Sequence, residues 1–218
     1  HAVPPRRART RAPGTGVTME GDTPELYSVP SCGIVTVVAM RRVILITGGG
    51  SGIGAATAHA AAERGWQPVI VGRRAAALEE VAASCGAAAR AVDLSEPDAP
   101  DALVRSVLDE FGRLDGVVAN AGVMSVGTVL HTDPAEWDRT MATNLTSVFR
   151  LLRAALPPLL ESRGAIVGVS SIAGLRSPGG AAAYSVSKAA MISLLQSVAR
   201  DFAADGSRSI AARPAWLR

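Results

Sequence analysis

Tyr184 and Lys188 stand four residues apart in a stretch of helical spacing, so both side chains fall on one face about one turn apart and can meet one ligand. An ammonium beside a phenol favours the phenolate, which would make Tyr184 a proton donor or acceptor near neutrality. Spacing alone equally suits a surface pair on an amphipathic helix, but composition favours chemistry. Among 22 basic residues Lys188 is the only lysine. Arginine keeps its charge in a planar fork, whereas lysine is a compact charge that can tune a neighbour or grip a diol. Asn120 and Asn144 are likewise the only asparagines. Ser171 is expected at the end of a strand, where its hydroxyl could hold a carbonyl oxygen beside the phenol, with Ser170 pointing the other way.

A second constellation lies near the start. Val43-Ile44-Leu45-Ile46 reads as a strand covered on both faces, and Thr47-Gly48-Gly49-Gly50-Ser51-Gly52-Ile53-Gly54 follows it as a glycine loop running into a helix. Such a loop lets the backbone approach a pyrophosphate, and the helix beginning near Ser51 offers unpaired N–H groups and a positive dipole end to an anion. A plain glycine turn would show the same glycines, but the strand and helix on either side suit a dinucleotide cradle. A triphosphate-binding loop would need Gly-Lys-Ser/Thr at its end, and this one closes on Gly52-Ile53-Gly54.

Other chemistries fit less well. Gly168-Val169-Ser170-Ser171-Ile172 lacks the closing glycine of a serine-hydrolase elbow, and His59 and His131 read as ordinary surface or packing residues. Cys32 and Cys85 have no metal-ligand spacing and imply neither a disulfide framework nor a metal site, which points to a cytoplasmic setting.

The elements that must position these residues alternate strand and helix. After the loop, 55–64 reads as a helix capped by Gly65, 68–72 as a second strand, and Arg73-Arg74 as the opening of a helix through 83. Residues 89–92 suggest a third strand ending at Asp93, 98–111 a helix, 116–119 a fourth strand, and 134–161 one long helix that Pro157-Pro158 should kink or split. A fifth strand at 165–171, a helix over 181–204 and a sixth strand at 209–212 complete the pattern. This βα repetition predicts an α/β, doubly wound parallel sheet, with the ligand outside the carboxyl ends of the strands at the switch point.

The 218 residues suit one domain, 40–218. Residues 1–39 mix Pro, Arg, Gly and Thr without periodicity and are expected to be a disordered or non-native arm, with Met40 as the functional start. Prolines there break the amphipathic helix of a transit peptide. The formal charge of +3 belongs to residues 1–42, with six Arg against three acids, and the rest of the chain balances, so neither nucleic acid nor an anionic membrane is an expected partner. No apolar run approaches the roughly 20 residues of a membrane helix.

With Thr47-Gly48-x-x-x-Gly52-Ile53-Gly54, Asn120-Ala121-Gly122, Asn144, Ser171 and Tyr184-x-x-x-Lys188, the chain resembles the short-chain dehydrogenase/reductase family over residues 41–216. Two departures stand out: Ala119 where the family has a first asparagine, and Ala215 after Pro214 where the family has glycine. The resemblance implies a Rossmann fold in which Gly48, Ser51, Gly52, Ile53 and Gly54 cradle the dinucleotide, Asp93 and Leu94 border the adenine, and Asn120, Ala121, Gly122 and Pro214 pack beside the cofactor. It makes Tyr184 the proton donor or acceptor, gives Lys188 to the nicotinamide ribose and to easing ionisation of Tyr184, Ser171 to the substrate oxygen, and Asn144 to a water relay. The implied activity is hydride transfer between a nicotinamide cofactor and a carbonyl or secondary alcohol, in a homodimer or homotetramer. A non-catalytic dinucleotide sensor or scaffold, or an inactive truncated member, is the alternative. Strand two ends at Gly72 without an acid for the adenosine ribose, and Arg73-Arg74 follow, so NADP(H) is expected over NAD(H). Relatives usually continue past the Pro214 segment with a substrate-covering helix and a seventh strand. Without these, an open sheet edge and weak activity are expected.

Overall fold

A computed structural model describes residues 41–202 and 208–212. Strands β1 (Val43–Thr47), β2 (Gln67–Gly72), β3 (Ala88–Ala91), β4 (Gly116–Ala119), β5 (Ala165–Val169) and β6 (Arg208–Ala212) form one parallel sheet in the order β3-β2-β1-β4-β5-β6. Helices α1 (Gly52–Glu63), α2 (Ala75–Cys85), α3 (Ala99–Phe111), α4 (Pro134–Met141), α5 (Ser147–Glu161) and α6 (Ala182–Asp201) connect them. This is the doubly wound sheet expected from the alternation. Residues 1–40, with Cys32, and the segment around Pro214 lie outside the described residues.

Each strand side has its own core, which is why the strands read as unbroken apolar runs. Val43, Leu45, Val69, Val71 and Val117 pack with Leu103 and Val107 of α3, Leu151 and Leu152 of α5 and Met191 and Leu195 of α6. Ile46, Ile70, Val118 and Val169 face the other way, onto Ala58 of α1 and Leu78 of α2. Strand order reverses between β1 and β4, and the crevice beyond their carboxyl ends is where this topology binds ligands.

Several boundaries differ from expectation. The stretch 134–161 is not one helix: a π-helical segment, Ala142–Thr146, separates α4 from α5. Pro157 and Pro158 do not split α5, which is assigned continuously across both. Leu151, Leu152, Ala155 and Leu159 bury the same face on either side of the proline pair, and that packing outweighs two lost N–H donors. β5 stops at Val169, leaving Ser170 and Ser171 in the loop that follows it. Arg73 and Arg74 precede α2 instead of opening it, with Arg74 at the N-cap. Arg64 is the C-cap of α1, followed by Gly65 at φ +77°, whose N–H donates to Ala62 O at 2.9 Å.

Candidate active site

The glycine loop is shaped by contacts that leave no room for side chains. A Cβ at Gly54 would run into the carbonyl oxygen of Gly48 and lie 2.7 Å from Asn120 Nδ2. Gly48 has φ +67°, a left-handed conformation that glycine adopts without penalty, and Asn120 Nδ2 donates to Thr47 O at 2.9 Å and Gly48 O at 3.3 Å. Thr47 closes the same seam from the other strand. Its buried Oγ1 accepts from the backbone N–H groups of Asn120 at 3.0 Å and Ala121 at 2.9 Å. Asn120 is thus spent on joining β1 to β4, and Thr47, which the sequence placed in the glycine motif without giving it a role, is its counterpart.

A cleft of about 350 Å³ opens beside this seam, lined by Gly48, Gly50, Ser51, Ile53, Gly72, Arg73, Arg74, Asp93, Leu94, Ser95, Asn120, Ala121, Gly122, Thr143 and others. Space beyond Gly52 is open, with no atom within 4 Å of where a Cβ would stand. The cleft and its bare glycine backbone fit the phosphates of a dinucleotide at the start of α1. Ser51 does not cap α1 through its side chain; its Oγ accepts from Arg74 Nη2 at 3.2 Å. A guanidinium is thereby held against the glycine loop. Asp93 Oδ1 accepts from the backbone N–H of Ser95 at 3.0 Å and its hydroxyl at 2.7 Å. Those bonds, with the charge of Arg73, hold the Asp93 carboxyl below its ordinary range despite partial burial.

Past Gly122, and not among the residues that line the cleft, α6 carries Tyr184 and Lys188 on one face, with the ammonium 5.9 Å from the centroid of the phenol ring. Lys188 is 5% exposed, and its Nζ donates to Val169 O, the last carbonyl of β5, at 2.9 Å. Ser170 Oγ donates to the backbone oxygen of Lys188 at 2.9 Å, so α6 is strapped to β5 at two points. Ser170 therefore turns towards α6, as alternation along the chain requires. Ser171 is also buried; its Oγ accepts from Ala173 N–H at 3.2 Å and caps the 3₁₀ turn Ile172–Gly174. Burial brings the Lys188 ammonium down to about 8.

The π-helical segment presents Asn144. Its Oδ1 accepts from Val123 N–H at 2.8 Å, and its Nδ2 donates to Val123 O at 2.9 Å and to Ser187 Oγ at 3.0 Å. Ser187 Oγ in turn donates to Tyr184 O at 2.7 Å. A Cβ at Gly122 would stand 3.3 Å from both Asn144 Oδ1 and Lys188 Nζ, so these two groups meet over one glycine of the cleft. Asn144 and Lys188 thus meet at Gly122, Asn144 reaches Tyr184 at its backbone oxygen through Ser187, and Ser171 adjoins them along the chain through Ser170. Ser187 was missed by sequence reasoning. The only available signal was its place beside Lys188, because its role depends on a residue 43 positions away.

Among the described residues, no cluster of three or more His, Cys, Asp or Glu could hold a metal ion, and no helix is long and apolar enough to cross a membrane.

The short chain dehydrogenase family model matches residues 42–217. The chain is 33% identical over 181 residues to meso-2,3-butanediol dehydrogenase of Serratia marcescens, covering 82% of this chain and 72% of that one. Among solved structures, a short-chain dehydrogenase from Streptomyces avermitilis superposes with a TM-score of 0.78 at 33% identity, covering 82% of this chain and 66% of that one. NAD+-bound xylitol dehydrogenase gives 0.78 at 32% identity, over 82% and 72%. A match running from the first strand past the last, onto proteins with the same fold, shows that the chain belongs to the short-chain dehydrogenase/reductase family of NAD(P)-dependent oxidoreductases acting on alcohols and carbonyls.

Proposed function

We propose that the protein interconverts a small carbonyl compound and its secondary alcohol, with NADP(H) preferred, and that Tyr184 moves the proton. The observation that carries this reading is Lys188: the chain's only lysine, buried, anchored on Val169 O and 5.9 Å from the Tyr184 ring. A bound nicotinamide supplies or accepts the hydride at the carbonyl carbon. In reduction the Tyr184 hydroxyl gives its proton to the carbonyl oxygen, and the Ser171 hydroxyl holds that oxygen. The Lys188 ammonium stabilises the phenolate left behind and offers donors to ribose hydroxyls. Asn144, fixed on Val123 and Ser187, anchors the path by which water returns the proton.

Arg73 and Arg74 support the NADP(H) preference. Both border the cleft, Arg74 stands on Ser51 of the loop, and β2 ends at Gly72 with no carboxylate to repel a 2′-phosphate. A homo-oligomer is supported by an apolar groove of about 510 Å³ between α5 and α6, where Phe149 is 51% exposed. A cytoplasmic location goes with this proposal, on the ground that Cys32 and Cys85 do not form a disulfide framework by number or spacing.

The decisive experiment is Tyr184→Phe, which removes the proton-transfer group with little change of packing. Turnover on a confirmed substrate should fall by roughly two to four orders of magnitude while NADPH still binds. Unchanged turnover would remove Tyr184 from the chemistry. In the same titrations the unaltered protein should bind NADPH more tightly than NADH, and the reverse order would refute the cofactor preference.

A further inference from the structure

Two loops adjoin the reacting groups. The loop after β4 carries Met124 and Val126, and the turn after β5 carries Ile172 and Leu175. These four side chains are 55, 80, 41 and 57% exposed, and Val186, between Tyr184 and Lys188 on α6, is 45% exposed. The loops are tied to the site. Ile172 adjoins Ser171, and Asn144 holds Val123, next to Met124. Beyond Val126, Gly127 bridges to Ala181, with its N–H donating to Gly180 O at 2.8 Å and its oxygen accepting from Ala182 N–H at 3.2 Å, two residues before Tyr184. The apolar side chains therefore project from segments whose backbones are anchored to Asn144, Ser171 and the start of α6.

Charge is sparse there. Across residues 121–132 and 171–183 the sequence holds no carboxylate, and Arg176 is the only arginine or lysine. A surface of this kind offers no carboxylate to balance a cation. Leaving polar groups of a ligand unpaired against it would cost affinity. Accepting Tyr184 and Ser171 as the groups that meet the carbonyl oxygen, these two loops are segments tied by backbone to both of them, and their apolar side chains are open to whatever is attached to that carbonyl.

We infer that the substrate is a ketone or secondary alcohol on a neutral, apolar body, alicyclic or a medium-length alkyl chain, and that Val126 and Leu175 are specificity-determining residues. This rests on the oxidoreductase reading for the position of the carbonyl. It does not follow from that reading, which would serve a hydroxy acid or a sugar alcohol equally well.

The test uses methyl ketones of four to eight carbons, with hydroxyacetone and aminoacetone as the polar and cationic members. Binding is measured by calorimetry on the full chain loaded with NADP+, which cannot reduce them, and turnover is followed separately with NADPH. Each added methylene should tighten binding about fourfold, with kcat/KM rising in parallel, and hydroxyacetone and aminoacetone should bind weakest. Val126→Asp and Leu175→Asp should flatten that slope and leave NADP+ affinity unchanged. A tightening series without any turnover would sustain the apolar site and defeat the oxidoreductase reading. Absent binding, a flat series in the unaltered protein, or tighter binding of hydroxyacetone would overturn the inference, and it needs no variant to do so.

Discussion

A lysine withdrawn from water has two consequences that can be measured separately. Burial disfavours the charged form of Lys188 and brings it down to about 8, against an ordinary value of 10.5. The folded state therefore releases this proton earlier than the unfolded chain. Below pH 8 the cost of burying the ammonium is fully present, and between about 8 and 10.5 it is relieved, so this group alone makes stability rise with pH across that window. Because the chain has one lysine, isotope-labelled lysine gives a single side-chain resonance, and in the ligand-free protein its midpoint should fall near 8. A midpoint in the ordinary lysine range would show that water reaches the amine. The importance of Lys188 and Tyr184 was legible in the sequence because it rests on a spacing of four within one helix. The roles of Thr47, already part of the glycine motif, and of Ser187 were not, because their partners lie 73 and 74 residues away for Thr47 and 43 for Ser187.

Strand starts and helix interruptions do work that local pattern does not reveal. Asp115 sits just before β4, 5% exposed, and its Oδ2 accepts from Val43 N–H at 2.8 Å and from Arg113 Nε at 2.8 Å. Oδ1 accepts from Arg113 Nη2 at 2.6 Å, while the Asp115 backbone pairs with Val43 O at 2.8 Å and with Ala165 N–H at 3.0 Å. One residue thus brackets the beginnings of β1, β4 and β5. Asp115→Ala would strand a buried N–H and remove the partner of a guanidinium, and should cost about 3 kcal/mol in denaturant unfolding. A loss below half that would show that water replaces the carboxylate. The π-helical segment follows the same rule. Its extra residue per turn brings Asn144 onto Val123, yet 134–161 reads as continuous helix because the contact that rewards the irregularity is tertiary. The prolines of α5 misled in the opposite direction, their local penalty being overridden by burial of Leu151, Leu152, Ala155 and Leu159.

On the scale of the molecule, the groove between α5 and α6 combines Phe149, Leu152, Leu156, Leu160 and Leu194 with Arg153 and Asp201 among its lining residues. An apolar surface carrying one charge of each sign is self-complementary under a two-fold axis, so a second copy is the expected occupant. Phe149→Glu should convert a dimer to a monomer in light scattering with NADPH affinity retained. A monomeric unaltered protein would exclude this interface. The sheet itself was legible because each βα unit is a local pattern, but its order is set by the seam where β1 meets β4. That seam also divides the work: the loops after β1, β2 and β3 border the cleft at Ser51, Arg73, Arg74 and Asp93, whereas Ser171, Tyr184 and Lys188 come from the chain beyond β4. Thr47 and Asn120 join the two halves across 73 residues of chain. Contacts over such a distance are slow to form, because loop closure must precede any reward from pairing. Neither half holds a complete site alone, so the docking of β4 on β1 is the event that creates the enzyme. Recovery of NADPH binding during refolding should follow that docking, later than the helical signal of the individual βα units.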